Sequence, residues 1–117
     1  MMLIKILNQK PHIKGTIFCF NVNGKSIDIL FVNHAIDRIN KWNLTIEMVA
    51  ETLIEPEEVL ISLQNRFIAH RRYNEHVLRA IYEYDNELPI LITVYFPFSK
   101  RYFQGRGSYE DKIFERS

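Results

Sequence analysis

His34, Arg38 and Lys41 fall on one side of any helix drawn through NHAIDRINK, residues 33–41. Metal-free cleavage of a phosphodiester needs a ring nitrogen that moves protons near neutral pH, one turn from a guanidinium fork that fits phosphate oxygens. On RNA, a base takes the 2′-hydroxyl proton, cations stabilise the crowded phosphate and an acid protonates the leaving oxygen. A solvated basic edge is the plainer reading of the same three residues. The second concentration of these residue types is RFIAHRRYNEHVLRAIY, residues 66–82, with four arginines and two histidines among strand formers.

A two-residue turn at Asn74-Glu75 would set the register of that segment. His70 then faces Arg79, Arg72 faces Val77, and Arg66 faces Glu83 as a simple cross-strand ion pair. His70 beside Arg79 opposes two groups that can both carry positive charge, which an incoming anion would relieve. Ile68, Ile81, Ile92 and Val94 are expected on the same sheet face. Arg71, Tyr73, Leu78, Tyr82 and Tyr95 are expected on the other. The candidate catalytic set is therefore His34, Arg38, His70 and Arg79, with no metal ligand among them. Arg72, Lys100, Arg101 and Tyr102 form the candidate RNA-binding set, the last three as a basic loop just past the final strand. Tyr73, Tyr82, Tyr95 and Tyr102 are able to stack unpaired bases, and the first three are also good strand residues.

These groups need elements to hold them. Residues 16–22 and 25–31 alternate around Asn23-Gly24, a strong hairpin signal. Asn33 is the expected cap of a helix carrying Ala35, Ile39 and Trp42 on its apolar face. Thr45 caps a second helix with Ile46, Val49, Ala50, Leu53 and Ile54 as its stripe, and Pro56 ends it. Glu47, Glu51 and Glu55 form the opposite side, expected to be solvated. Period-two runs at 66–73, 76–84 and 89–96 predict an antiparallel meander with turns at Asn74-Glu75 and near Asn86-Glu87, and Tyr109–Phe114 is a short helical candidate. The expected class is α+β: an N-terminal β-hairpin, then two short helices packed on one face of an antiparallel β-meander. The expected organisation is one domain over 1–117: a hairpin extension in 1–32, a core in 33–97 and a basic tail in 98–117.

With 117 residues, 47% hydrophobic and 25% charged, the chain can bury a single core. The net charge of +1 conceals a segregation: residues 45–59 hold five glutamates and no Lys or Arg, while 66–79 hold four arginines against Glu75. Such a dipolar chain can present a basic face to nucleic acid. One cysteine, Cys19, excludes an internal disulfide and suits a reducing cytoplasm. Scattered histidines offer no zinc spacing. The apolar start MMLIKIL is too short for a signal peptide or a membrane span.

HAIDRINKWNLTIEMVAETLIEPEEV followed by RFIAHRRYNEHVLRAIYEYDNELPILITVY resembles a family of small prokaryotic proteins placed near the BrnT and RelE/ParE toxins of toxin–antitoxin systems. The matching pieces are His34-Ala-x-x-Arg38, Leu44-Thr-x-Glu47, Pro56-x-x-Val59, the Arg-rich strand, Leu78-Arg79 and Thr93-Val94-Tyr95, within residues 33–97. The resemblance implies a RelE-like fold and a metal- and cofactor-independent endoribonuclease. It would act on mRNA or ribosome-associated RNA and be held by a cognate antitoxin protein, with no membrane partner. The hairpin of residues 16–31 goes beyond the minimal toxin pattern, which leaves a modified role open. A non-catalytic nucleic-acid-binding module and a ParE-like toxin that inhibits a protein are the alternatives.

Overall fold

Five asparagines mark the corners of the chain, all in the left-handed region where asparagine is the best-tolerated residue after glycine: Asn23, Asn43, Asn65, Asn74 and Asn86, with φ of 54°, 59°, 57°, 59° and 58°. In the computed structural model, residues 3–62, 64–102 and 113 are described, without the side chains of Arg101 and Tyr102. Strands β1 (Ile4–His12), β2 (Gly15–Val22) and β3 (Lys25–Val32) lead into helices α1 (Asn33–Lys41) and α2 (Ile46–Ile54). Strands β4 (Glu58–Ile61), β5 (Phe67–Tyr73), β6 (His76–Asp85) and β7 (Leu88–Tyr95) follow, then a one-turn helix α3 (Ser99–Tyr102).

All seven strands form one sheet in the order β1-β2-β3-β7-β6-β5-β4. The pairings are antiparallel except β3 with β7, which run parallel through Leu30–Ile90 and Phe31–Leu91. This corrects the expected class. The hairpin is not an extension beside a helix-covered meander; it is continuous with the meander in a single mixed sheet, and strand dominates the chain. Two strands beyond the expected five build it. In β1, Ile4 and Ile6 pack against the core while Leu7, like Leu3 just before the strand, stays exposed, so apolar residues on both faces erase the alternation that signals a strand. The four residues of β4 are too few to show a period, and their pairing with Phe67–His70 supplies the order.

The expected registers hold where turn chemistry sets them. Phe18 faces Ile29 and Phe20 faces Ile27. His70 faces Arg79, and Arg72 faces Val77. The third strand of the meander differs: Val94 faces Ala80 and Tyr95 faces Arg79, with an irregularity between Ile81 and Tyr82 that shifts the rest of the pairing. Tyr95 thus belongs beside Arg79 rather than on the opposite face.

Phe18, Phe20 and Phe31 form the aromatic centre of the core, with Phe18 meeting Phe31 edge-on at 5.1 Å. Val49, Ala50, Leu53 and Ile54 of α2 join that core at essentially zero exposure, as do Ala35 and Ile39 of α1. Thr45 caps α2 by accepting a hydrogen bond from the Met48 N–H at 3.1 Å. Asn33 does not cap α1; it is the first helical residue, Val32 precedes it, and among the described residues no side chain makes a capping bond. Ile113 is buried in the core, while the rest of the 109–114 candidate helix lies outside the described residues. No helix among the described residues is long and apolar enough to cross a membrane.

Candidate nucleic-acid interface

The positive charge of β5 meets glutamate. Arg66 bonds Glu83 at 3.0 Å, the cross-strand pair expected from register. Arg71 approaches Glu51 at 3.5 Å and Glu55 at 3.7 Å, and donates to the Glu55 carbonyl at 2.8 Å. Arg72 donates through its side chain to Glu57 at 2.9 Å and through its backbone N–H at 2.6 Å, and these bonds hold the Glu57 carboxyl below its ordinary range. Three of the five glutamates of 45–59, Glu51, Glu55 and Glu57, therefore meet the two arginines of β5, and Glu58 meets its histidine. The acidic stripe of α2 is not merely solvated, because Glu51 also accepts from the Tyr73 hydroxyl at 2.6 Å. Arg72 leaves the RNA-binding set for this reason.

His70 leaves the catalytic set. Its Nδ1 lies 2.6 Å from the Glu58 carboxylate, and neither side chain has any exposed surface. Its Nε2 is buried and has no hydrogen-bond partner among the described residues. Burial holds the imidazole below its ordinary value, Glu58 opposes that shift, and nearby Arg79 reinforces it. Sequence alone paired His70 with Arg79 correctly but could not show β4 arriving on its other side with Glu58.

The remaining candidates gather along α1 and β7. The exposed His34 places Nε2 3.2 Å from the Thr93 hydroxyl, a contact that fixes the ring against β7. One turn on, the half-buried Arg38 makes no ion pair or side-chain hydrogen bond among the described residues. The helix ends in a Schellman motif: the Asn43 N–H bonds the Asn40 carbonyl at 3.1 Å and the Leu44 N–H bonds the Ile39 carbonyl at 2.9 Å, with Asn43 left-handed. That stop leaves Trp42, expected on the core face, 38% exposed as the capping residue. Trp42, Arg79, Tyr95 and Pro97 line a cleft of about 350 Å³. His34, Arg38 and Trp42 are spaced by four, so one stripe of α1 leads from Thr93 to the cleft.

Trp42 and Thr93 are the residues sequence reasoning missed. The signal for Trp42 was its place directly before Asn43, a helix-stopping position; Thr93 stood only within the Thr93-Val94-Tyr95 piece of the resemblance, with no role of its own. Lys100 lies apart, exposed, and lines a separate hollow of about 460 Å³ with Asn74, Glu75, Phe98 and Ser99. The side chains of Arg101 and Tyr102 lie outside the described residues. Among the described residues no group of three His, Cys, Asp or Glu is placed to hold a metal ion. No family model, curated protein or solved structure matches the chain.

Proposed function

We propose that the protein is a small RNA-directed nuclease of the toxin kind, acting in the cytoplasm without a metal. The observation that supports this reading is the α1 stripe of His34 and Arg38 running into the cleft of Trp42, Arg79 and Tyr95. Proton-transfer group, phosphate-binding cations and aromatic surface thus lie along one helix and the ends of two adjacent strands. In this reading His34 moves the proton at the 2′-hydroxyl or the leaving oxygen, with Thr93 orienting its ring. Arg38 and Arg79 stabilise the charge gathering on the phosphate. The resemblance of the His34-Ala-x-x-Arg38 and Thr93-Val94-Tyr95 segments to BrnT and RelE/ParE toxins points the same way, and with it comes a neighbouring antitoxin protein as partner.

Purified protein incubated with single-stranded RNA in EDTA tests it. Products ending in 2′,3′-cyclic phosphate, lost in His34→Ala, are expected. Binding that is salt-dependent and indifferent to His34→Ala, with no cleavage, would replace this reading with that of a non-catalytic nucleic-acid-binding module. One observation favours that second reading: with His70 buried against Glu58, His34 is the one candidate histidine left at the groove.

A further inference from the structure

Strand β1 ends the sheet, and among the described residues no strand lies beyond it. The Asn23 N–H bonds the Leu3 carbonyl at 3.4 Å, so Leu3 turns its backbone toward β2. Antiparallel pairing alternates in this respect, so Lys5 also faces β2, while the N–H and C=O groups of Ile4 and Ile6 point away from it. Counting back from the His12–Gly15 pair at the hairpin turn, Pro11 also faces outward, where its missing N–H costs no ladder bond. Pro11 and the irregularity between Ile6 and Asn8 guard the second half of this edge against further pairing. The half at Ile4–Ile6 has no such guard. The side chains of Ile4 and Ile6 pack against the core, and where α2 overhangs the edge, Leu3, Ile4, Glu47, Met48 and Glu51 line a hollow of about 260 Å³. The exposed Lys5 and Lys10 lie on the other face of the strand, opposite Asn21 and Ile17 of β2.

We propose that the Ile4–Ile6 edge takes up an extended segment of another protein as an eighth strand, one in which apolar and acidic residues alternate. The inference is independent of the RNA reading of α1 and β7. Backbone groups of Ile4 and Ile6 supply the hydrogen bonds, and side-chain contacts on the two faces supply the selection. Residues of the added strand that oppose Ile4 and Ile6 fall on the α2 face, where the hollow and the Met48 thioether suit an apolar side chain. The exposed Glu47 on the rim repels a carboxylate there. The residue between them opposes Lys5 on the other face, where a carboxylate is attracted and a lysine repelled. The same lysines argue against a second copy of the chain as the occupant. Antiparallel self-pairing that seats Ile4 against Ile6 opposes the two Lys5 side chains, and the slip that seats Ile6 against Gln9 brings Lys5 against Lys10.

The experiment titrates the full chain into three fluorescein-labelled synthetic peptides of equal length. One alternates valine and glutamate, one alternates valine and lysine, and one keeps the glutamates but replaces each valine by proline, which removes the N–H groups an added strand would donate. Fluorescence anisotropy is expected to show saturable binding of the valine–glutamate peptide, on the order of fivefold tighter than the valine–lysine peptide, and no binding of the proline peptide. Lys5→Glu should reverse the order of the first two. Lys5 is exposed, so the exchange leaves the core intact, and circular dichroism checks the fold. In the unaltered chain, saturating valine–glutamate peptide should slow hydrogen exchange at the Ile4 and Ile6 amides and leave that of the central strands unchanged. Absence of binding, equal affinity for the first two peptides, binding of the proline peptide, or an order that survives Lys5→Glu would each overturn the proposal. So would Ile4 and Ile6 amides that are protected by raising the concentration of the chain alone, which would give the edge to a second copy.

Discussion

His70 and Glu58 face each other across β5 and β4, with Nδ1 and Oε2 2.6 Å apart and both side chains fully buried. Removing one partner of such a pair strands the other in a low-dielectric interior. Glu58→Ala is expected to cost about 3 kcal/mol in urea or guanidinium unfolding. The pH dependence has a definite sign. Folding holds the His70 imidazole below its ordinary value of 6.5, so below that value the unfolded chain binds the proton more readily. The stability present above pH 6.5 should fall as pH drops from there through the folded-state value. Unfolding curves from pH 8 to pH 5 check this, and a stability that rises over that descent would show the imidazole to be favoured in its charged form.

Arg72 reaches Glu57 from an exposed position and is committed to it by side chain and backbone. Arg72→Ala should therefore leave RNA affinity within about twofold of the parent, whereas Arg79→Ala should weaken it on the order of tenfold, as phosphate- or base-contacting arginines do. Filter binding at one fixed salt concentration compares them. Equal losses from both would place RNA on β5 rather than at the cleft.

Tyr73 fastens α2 to the sheet. Its hydroxyl meets the Glu51 carboxylate at 2.6 Å and the Met48 carbonyl at 3.3 Å, and burial, with Glu51, pushes the phenol well above its ordinary range. Tyr73→Phe should cost about 1.5 kcal/mol, the usual cost of losing a hydrogen bond to a charged group. It should leave Trp42 emission unchanged, because α1 and the cleft do not depend on it. Denaturant unfolding followed by Trp42 emission reads both at once.

His34 is an exposed residue whose one side-chain hydrogen bond among the described residues goes to Thr93. His34→Ala should lower the rate of RNA cleavage by a factor of about 10² to 10⁴, the range for general acid–base groups, with affinity retained. Thr93→Val should lower the rate less, and chiefly through loss of orientation. Single-turnover rates against equilibrium binding separate the two effects; a parallel loss of affinity in His34→Ala would make it a binding residue.

Where a turn dictates pairing, the sequence was readable. Asn23-Gly24 and Asn74-Glu75 set hairpins whose partners, Phe20 with Ile27 and His70 with Arg79, follow by counting. Thr45 announced α2 through its hydroxyl. Contacts distant in sequence did not show. Nothing local marks Leu30 as the parallel partner of Ile90, because no tight turn joins them and both lie in apolar runs that suit either neighbour. The same distance hid the glutamates. A stripe such as Glu47-Glu51-Glu55 looks alike on a solvated helix and on one leaning over an arginine strand, and the position of α2 beside β5 decides between them. The candidate site was legible at His34, Arg38 and Arg79, whose chemistry is distinctive. It was illegible at Trp42, whose exposure is set by the Asn43 stop, and at Tyr95, whose facing depends on a register shift.

The most direct measurement of the central claim is Trp42 emission during titration with a short single-stranded RNA and, separately, with the same RNA annealed to its complement. A single strand that seats a base between Trp42 and Tyr95 should quench the emission saturably, and the duplex, with its bases stacked and paired, should do so far more weakly. Emission that ignores both RNAs at concentrations where binding is otherwise detected would put the nucleic acid elsewhere on the molecule and contradict the account.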